Sequence, residues 1–282
     1  MSSSFFFRDF THYFDFQTII KQMNRREFLQ QTALVTASIA LANTLPAAAI
    51  SANPTKKILL TGGAYGPVWM KYMIALTGKE KPRVCFLPTA SGDNQAYITY
   101  WLENAKKYSI DPYVQKVFIE SSTQKISFEE SLLGADAIMV AGGNTLDMIA
   151  LWRAHGIDKI LKRAWEKGIV LTGSSAGAIC WFHEGLSDSR PIALSSVECL
   201  GFLKGSCSPH YHSSKDRATI YQDMVLNGKM KPGYGLDENA GLYFENDKVA
   251  KVLAGDAKNK VYKVSVENGA IAEVALEATV LN

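Results

Sequence analysis

Short apolar runs recur along the chain from Lys57 onward, and most end in a turn of small residues. Lys57 to Leu60 runs into Thr61-Gly62-Gly63, and Arg83 to Leu87 into Pro88-Thr89-Ala90-Ser91-Gly92. Ala137 to Val140 runs into Ala141-Gly142-Gly143, and Ile169 to Leu171 into Thr172-Gly173; a further run spans Val114 to Ile119. Runs of this length bounded by turn residues read as buried strands. Helix-length segments separate them. The clearest, Thr145 to Lys167, has apolar residues at helical spacing and a break at Gly156. Strands alternating with helices predict an α/β fold with a mainly parallel sheet sandwiched by helices. In such sheets a site lies beyond the carboxyl ends of the strands, where the glycine-rich turns fall here. After about Gly233 the pattern changes to short strands and turns, such as Glu245-Asn246-Asp247 and Glu267-Asn268-Gly269. These predict a C-terminal antiparallel addition to the same domain.

Composition narrows the function. The chain has 282 residues, 47% hydrophobic and 20% charged, an ordinary globular balance. A formal net charge of +3 without any Lys/Arg run argues against a nucleic-acid partner. The four cysteines, Cys85, Cys180, Cys199 and Cys207, form no C-x-x-C pair, so no metal site is expected, and they read as buried free thiols.

The first fifty residues read as an address. Arg25-Arg26 followed by Phe28-Leu29, the small uncharged stretch Thr32 to Ala42 and the A-x-A pattern Ala47-Ala48-Ala49 make a twin-arginine signal candidate. The expected division is 1–52, an N-terminal extension and signal, and 53–282, one globular domain, with Met23 as the expected start. On this reading the precursor's partner is the twin-arginine export machinery and the mature protein is periplasmic. The alternative is a plain N-terminal extension, which leaves the protein in the cytoplasm.

Gly173-Ser174-Ser175-Ala176-Gly177 fits G-x-S-x-G between an apolar strand and Ile179-Cys180-Trp181-Phe182, read as a helix. A sharp strand-to-helix turn exposes its serine, small neighbours let the backbone bend, and the helix start favours developing negative charge. The plainer reading is a helix cap made by Ser174 or Ser175. A nucleophilic serine needs a base. Of the five histidines, His12, His155 and His183 are badly placed, whereas Pro209-His210-Tyr211-His212 lies in a loop; either His210 or His212 fits the role. An ordinary α/β-hydrolase places its histidine far later in the chain, which argues against that fold.

Five blocks together resemble the peptidase E (aspartyl dipeptidase) and cyanophycinase family of serine peptidases, across most of residues 56–255. They are Phe86-Leu87-Pro88-Thr89-Ala90, Ala141-Gly142-Gly143-Asn144-Thr145, Gly173 to Ala178, Ser208-Pro209-His210-Tyr211 and Gly235-Leu236-Asp237-Glu238. The resemblance implies a fold like class I glutamine amidotransferases. It places the nucleophile at Ser175 and the base at His210. For the acid it leaves Glu238 or Asp188, with Asp237 a rival to Glu238. It further implies an oxyanion hole from the N–H groups of Gly143 and Ala176, and substrate contacts from Asn144, Thr145 and Arg217. The implied activity is hydrolysis of a small peptide, an acidic dipeptide first, through an acyl-enzyme and without cofactor or metal. A cyanophycinase-like or other amide or ester hydrolase is the alternative, though the cyanophycinase arginine signature is absent. A third reading is an exported binding protein with a vestigial triad.

Overall fold

The run at Lys57–Thr61 forms β1, fully buried from Ile58 onward, in the middle of an eight-stranded sheet. The computed structural model describes residues 54–282 apart from Ala64 and Lys215; the expected signal lies outside the described residues. The sheet runs in the order β14 (Thr279–Val280), β11 (Lys248–Ala254), β10 (Ala240–Glu245), β1, β5 (Val170–Ser174), β4 (Ala137–Val140), β2 (Arg83–Leu87) and β3 (Asp111–Val114). From β1 to β3 every neighbouring pair is parallel. Such strands need cover on both faces, and they have it. On one face Ile58, Leu60, Ile138 and Leu171 join a core with Trp152, Leu161 and Trp165. Those residues come from α4 (Thr145–His155) and α5 (Ile157–Glu166), beside the short α3 (Phe128–Leu133). On the other face Leu59, Phe86, Met139 and Val170 pack with Trp69 and Met73 of α1 (Pro67–Thr77) and Trp101 of α2 (Gln95–Ala105). The helical segment from Thr145 breaks where the pattern predicts. Gly156, at φ 71°, closes α4 with its N–H on the Arg153 and Trp152 carbonyls.

A second, six-stranded sheet runs β13 (Ala270–Leu276), β12 (Val261–Glu267), β9 (Gly233–Leu236), β8 (Leu203–Ser208), β6 (Phe182–Ser187) and β7 (Ser195–Glu198). Its inner pairs β6–β8 and β8–β9 are parallel, and its outer pairs antiparallel. α7 (Arg217–Leu226) covers it through Tyr221 and Val225, which meet Leu186 and Val264.

The α/β architecture, mostly parallel and flanked by helices, agrees with expectation, and so do the antiparallel C-terminal strands, which divide between the sheets: β10 and β11 extend the first, β12 and β13 the second. Both anticipated turns close hairpins, at Asn246 (φ 59°) and at Asn268-Gly269 (φ 51° and 79°), residues that accept positive φ. Two details differ. The third strand is Asp111–Val114 and not the Val114–Ile119 run, because the Asp93 carboxylate accepts the Val117 and Phe118 N–H groups and draws that backbone out of the ladder. The helix after the serine turn, α6 (Ala176–Ile179), has only four residues. It stops because the carbonyls of Cys180, Trp181 and Phe182 accept N–H groups of Leu200, Leu203 and Gly201, so that the chain turns into β6.

Candidate active site

Ser175 sits between β5 and α6 with φ 54° and ψ −117°, a region that non-glycine residues rarely occupy. The tight turn depends on the two glycines that flank it. A Cβ at Gly177 would lie 2.3 Å from the Val140 carbonyl oxygen, and one at Gly173 would lie 2.6 Å from the Gly177 carbonyl oxygen. The Ser175 N–H donates to the Thr61 carbonyl at 3.4 Å, which ties the turn to the end of β1.

His210 follows β8 of the second sheet, also at positive φ (54°). Its Nε2 lies 2.9 Å from Ser175 Oγ and its Nδ1 2.5 Å from Glu238 Oε1. Glu238 lies in the crossing from β9 to β10, and the Ser213 hydroxyl donates to the same Oε1 at 2.6 Å. Burial acts to raise the Glu238 pKa, but the hydrogen bonds from Ser213 and His210, with the charges of His210 and Arg217, outweigh it and hold the carboxyl below its ordinary value. The group therefore favours its ionised form, the form that orients an imidazole and stabilises the imidazolium.

The other candidates occupy different surroundings. His212 turns away and pairs with Asp237, at 2.9 Å between Nδ1 and Oδ1. Asp237 also accepts the Lys260 N–H, so that its carboxylate is used in bracing the loop. Asp188 lies past the end of β6, where its carboxylate meets Arg217 Nη2 at 3.6 Å; the acid against His210 is Glu238. The Arg217 side chain is only 5% exposed, and its Nη1 donates to the Leu186 carbonyl at 3.2 Å. Its Nε is buried without a hydrogen-bond partner among the described residues. Burial lowers its pKa while Asp188 opposes that shift.

Gly143 has φ 138°, and a Cβ there would lie 2.1 Å from the Ala90 carbonyl oxygen; one at Gly142 would come within 3.3 Å of Ser175 Cβ. The loop thus lies directly against the turn that carries Ser175. Ala176 is the first residue of α6, a position whose N–H has no partner within its own helix. Asn144 and Thr145 are engaged within the fold. The Asn144 side chain caps α4 by accepting the Asp147 N–H, and Thr145 is buried with its hydroxyl accepting from Ser187. Ser189 adds a second cap, accepting the N–H groups of Thr145 and Leu146.

Two contributors escaped the sequence reading. Gly63 donates its N–H to the Glu238 carbonyl, and a Cβ there would fall 1.7 Å from Glu238 Oε2 and 2.7 Å from His210 Cε1. Its signal was present in the Thr61-Gly62-Gly63 turn at a strand end. Ser213 has no comparable signal, since its partner lies 25 residues away. Among the described residues no three His, Cys, Asp or Glu side chains converge as a metal set. The four cysteines are free and buried, and burial raises each thiol, Cys85 and Cys199 to about 12.

The chain is similar in sequence and in fold to known proteins. A match to Peptidase family S51 covers residues 58–252, a span that holds Ser175, His210 and Glu238. The Bacillus subtilis (strain 168) protein described as "Uncharacterized peptidase YgaJ" is 40% identical over 206 residues, which make up 73% of this chain and 88% of that protein. Peptidase E of Shewanella amazonensis is 28% identical over 152 residues, 51% of this chain and 64% of the relative. Among solved structures, a peptidase from an acI-B1 Actinobacterium superposes with a TM-score of 0.63 at 20% identity, covering 80% of this chain and 96% of the other, a likeness of fold.

Proposed function

We propose, from the premise that this chain belongs to Peptidase family S51 and is a peptidase, that it cleaves its peptide by serine chemistry. The observation that carries this reading is the imidazole of His210 held between Ser175 Oγ and Glu238 Oε1. His210 Nε2 takes the Oγ proton as Oγ attacks the scissile carbonyl carbon, and Glu238 stabilises the resulting imidazolium. The N–H groups of Gly143 and Ala176 receive the oxyanion. The imidazolium then protonates the leaving amine. Water, deprotonated by the same imidazole, attacks the acyl-enzyme and frees Ser175 Oγ.

The substrate in this reading is a small peptide with an acidic residue, an aspartyl dipeptide first, and Arg217 is the cation that recognises its carboxylate. The support is chemical: a guanidinium shielded from water, paired at 3.6 Å with an exposed Asp188, has capacity for a better carboxylate partner. A panel of dipeptides that differ only in Asp, Asn or Ala at the first position tests both halves. Asp peptides should be cleaved fastest, Ser175→Ala should lose about a millionfold in kcat, and Arg217→Lys should raise KM for Asp peptides selectively. Full turnover by folded Ser175→Ala contradicts the chemistry; equal cleavage of Asp and Ala peptides contradicts the substrate.

A further inference from the structure

A cavity of about 250 Å³ opens beside the nucleophile turn, on the face of the first sheet that carries α1 and α2. Two of its lining residues tie it to the candidate site. Ser174 precedes Ser175 in the chain, and Gly63 lies against both His210 and Glu238. Aromatic and thioether groups, among them Tyr65, Met70, Tyr97, Trp101 and Met139, make up much of its wall, with Asn104 and Lys107 beside them. The polar ends of two of them are already satisfied inside the fold. Tyr65 OH pairs with Thr172 Oγ1 at 2.6 Å, and Trp101 Nε1 donates to Met139 Sδ at 3.2 Å. What these two rings offer a ligand is apolar surface. Trp101 also stacks on Phe86, with ring centroids 4.7 Å apart, so this wall is held rigid. No carboxylate is among the lining residues, and the one ammonium, Lys107, donates to Asn104.

The geometry points to this cavity as a subsite for one large apolar or aromatic side chain of the peptide, next to the scissile bond. The assignment rests on the reading of Ser175 as nucleophile. The volume suits one side chain, since pockets for whole drug-sized ligands measure about 300–1,000 Å³. Its occupant is a part of the substrate, because the cavity adjoins the reacting serine through Gly63 and Ser174. Arg217 belongs to α7, over the second sheet, whereas the cavity lies between α1 and α2 over the first. A substrate with an acidic group toward α7 and an aromatic side chain toward α2 fits both.

Two small reagents that differ by a single ring test this without knowledge of the substrate. Methanesulfonyl fluoride and phenylmethanesulfonyl fluoride each transfer a sulfonyl group to the serine: the Oγ–S bond forms, fluoride leaves and the proton passes to His210. The ratio of their rates at Ser175, followed by mass spectrometry, reads the contribution of the ring. The ring should raise the rate about tenfold or more in the native protein, the usual effect of filling an apolar pocket. Gly66→Phe should lower the ratio several-fold, because Gly66 lines the cavity at an ordinary φ of −79° and a Cβ there meets nothing within 4 Å. Tyr100→Ala removes part of the rim from a residue 66% exposed, so folding is not at stake, and it should lower the ratio too. A ratio near one, or one that neither variant moves, overturns the subsite and leaves the nucleophile standing. Failure of both reagents to modify Ser175 in folded protein removes the nucleophile, and the subsite with it.

Discussion

At the scale of single residues, the site turns on how Glu238 holds His210. The carboxyl is partly exposed, yet the Ser213 and His210 hydrogen bonds keep its pKa below the ordinary 4.5 despite burial. A group whose folded pKa is depressed adds stability that is present above its unfolded pKa and lost as pH falls through the folded value. Glu238→Gln should therefore lower Tm at pH 7, and the gap to wild type should close below about pH 4. A gap as wide at pH 3 as at pH 7, followed by circular dichroism, contradicts this account of the carboxylate. In activity, the amide leaves His210 in the wrong tautomer, a change that should cost about 10⁴ in kcat. Much at this scale was legible in the chain. The glycine-spaced serine pointed to Ser175, and the Pro-His loop left His210 or His212 until the family resemblance chose His210; the choice among Glu238, Asp237 and Asp188 needed the folded chain. Three nearby carboxylates differ in partners that lie tens of residues away, and no local pattern records such contacts.

At the scale of elements, the glycine turns at the strand ends do two different jobs, and substitution should separate them. A Cβ at Gly63 meets the tips of the Glu238 and His210 side chains, which can move aside without disturbing the backbone. A Cβ at Gly177 meets the backbone carbonyl of Val140, which cannot. Gly63→Ala should then keep its Tm within a few degrees and lose about a hundredfold in kcat/KM, the usual result of displacing catalytic groups by an ångström. Gly177→Ala should lower stability by about 1–3 kcal/mol, as overpacked sites do. Thermal melts and steady-state rates on both variants check this, and the reverse pattern contradicts it. Sequence reading worked for β2 and β4, whose residues are all or nearly all buried and make continuous apolar runs. It worked for the helix pair around Gly156 because an αL glycine is an explicit stop signal. It failed for β6 and β8, where His183, Glu184 and Lys204 interrupt short runs and the pairing partners lie far along the chain.

At the scale of the whole molecule, the candidate site exists only because two sheets meet. The first sheet delivers Ser175 at the end of β5 and Gly63 beyond β1. The second delivers His210 after β8, and Glu238 stands where the chain passes from β9 back to β10. Apolar periodicity announces strands but not which sheet each joins, so the second sheet was not legible and the first was. The resemblance in five short blocks bridged that gap, because it carried the order of the site residues along the chain. The same dependence yields the most direct test. Separately, Ser175 is an ordinary alcohol; within the joined sheets it has an imidazole nitrogen 2.9 Å away. A fluorophosphonate probe followed by peptide mapping should label Ser175 in the folded protein, with the label lost on denaturation, abolished in Ser175→Ala and retained in Ser174→Ala. Labelling at Ser174, or none at all on the folded chain, would contradict the assignment of Ser175 as the activated nucleophile.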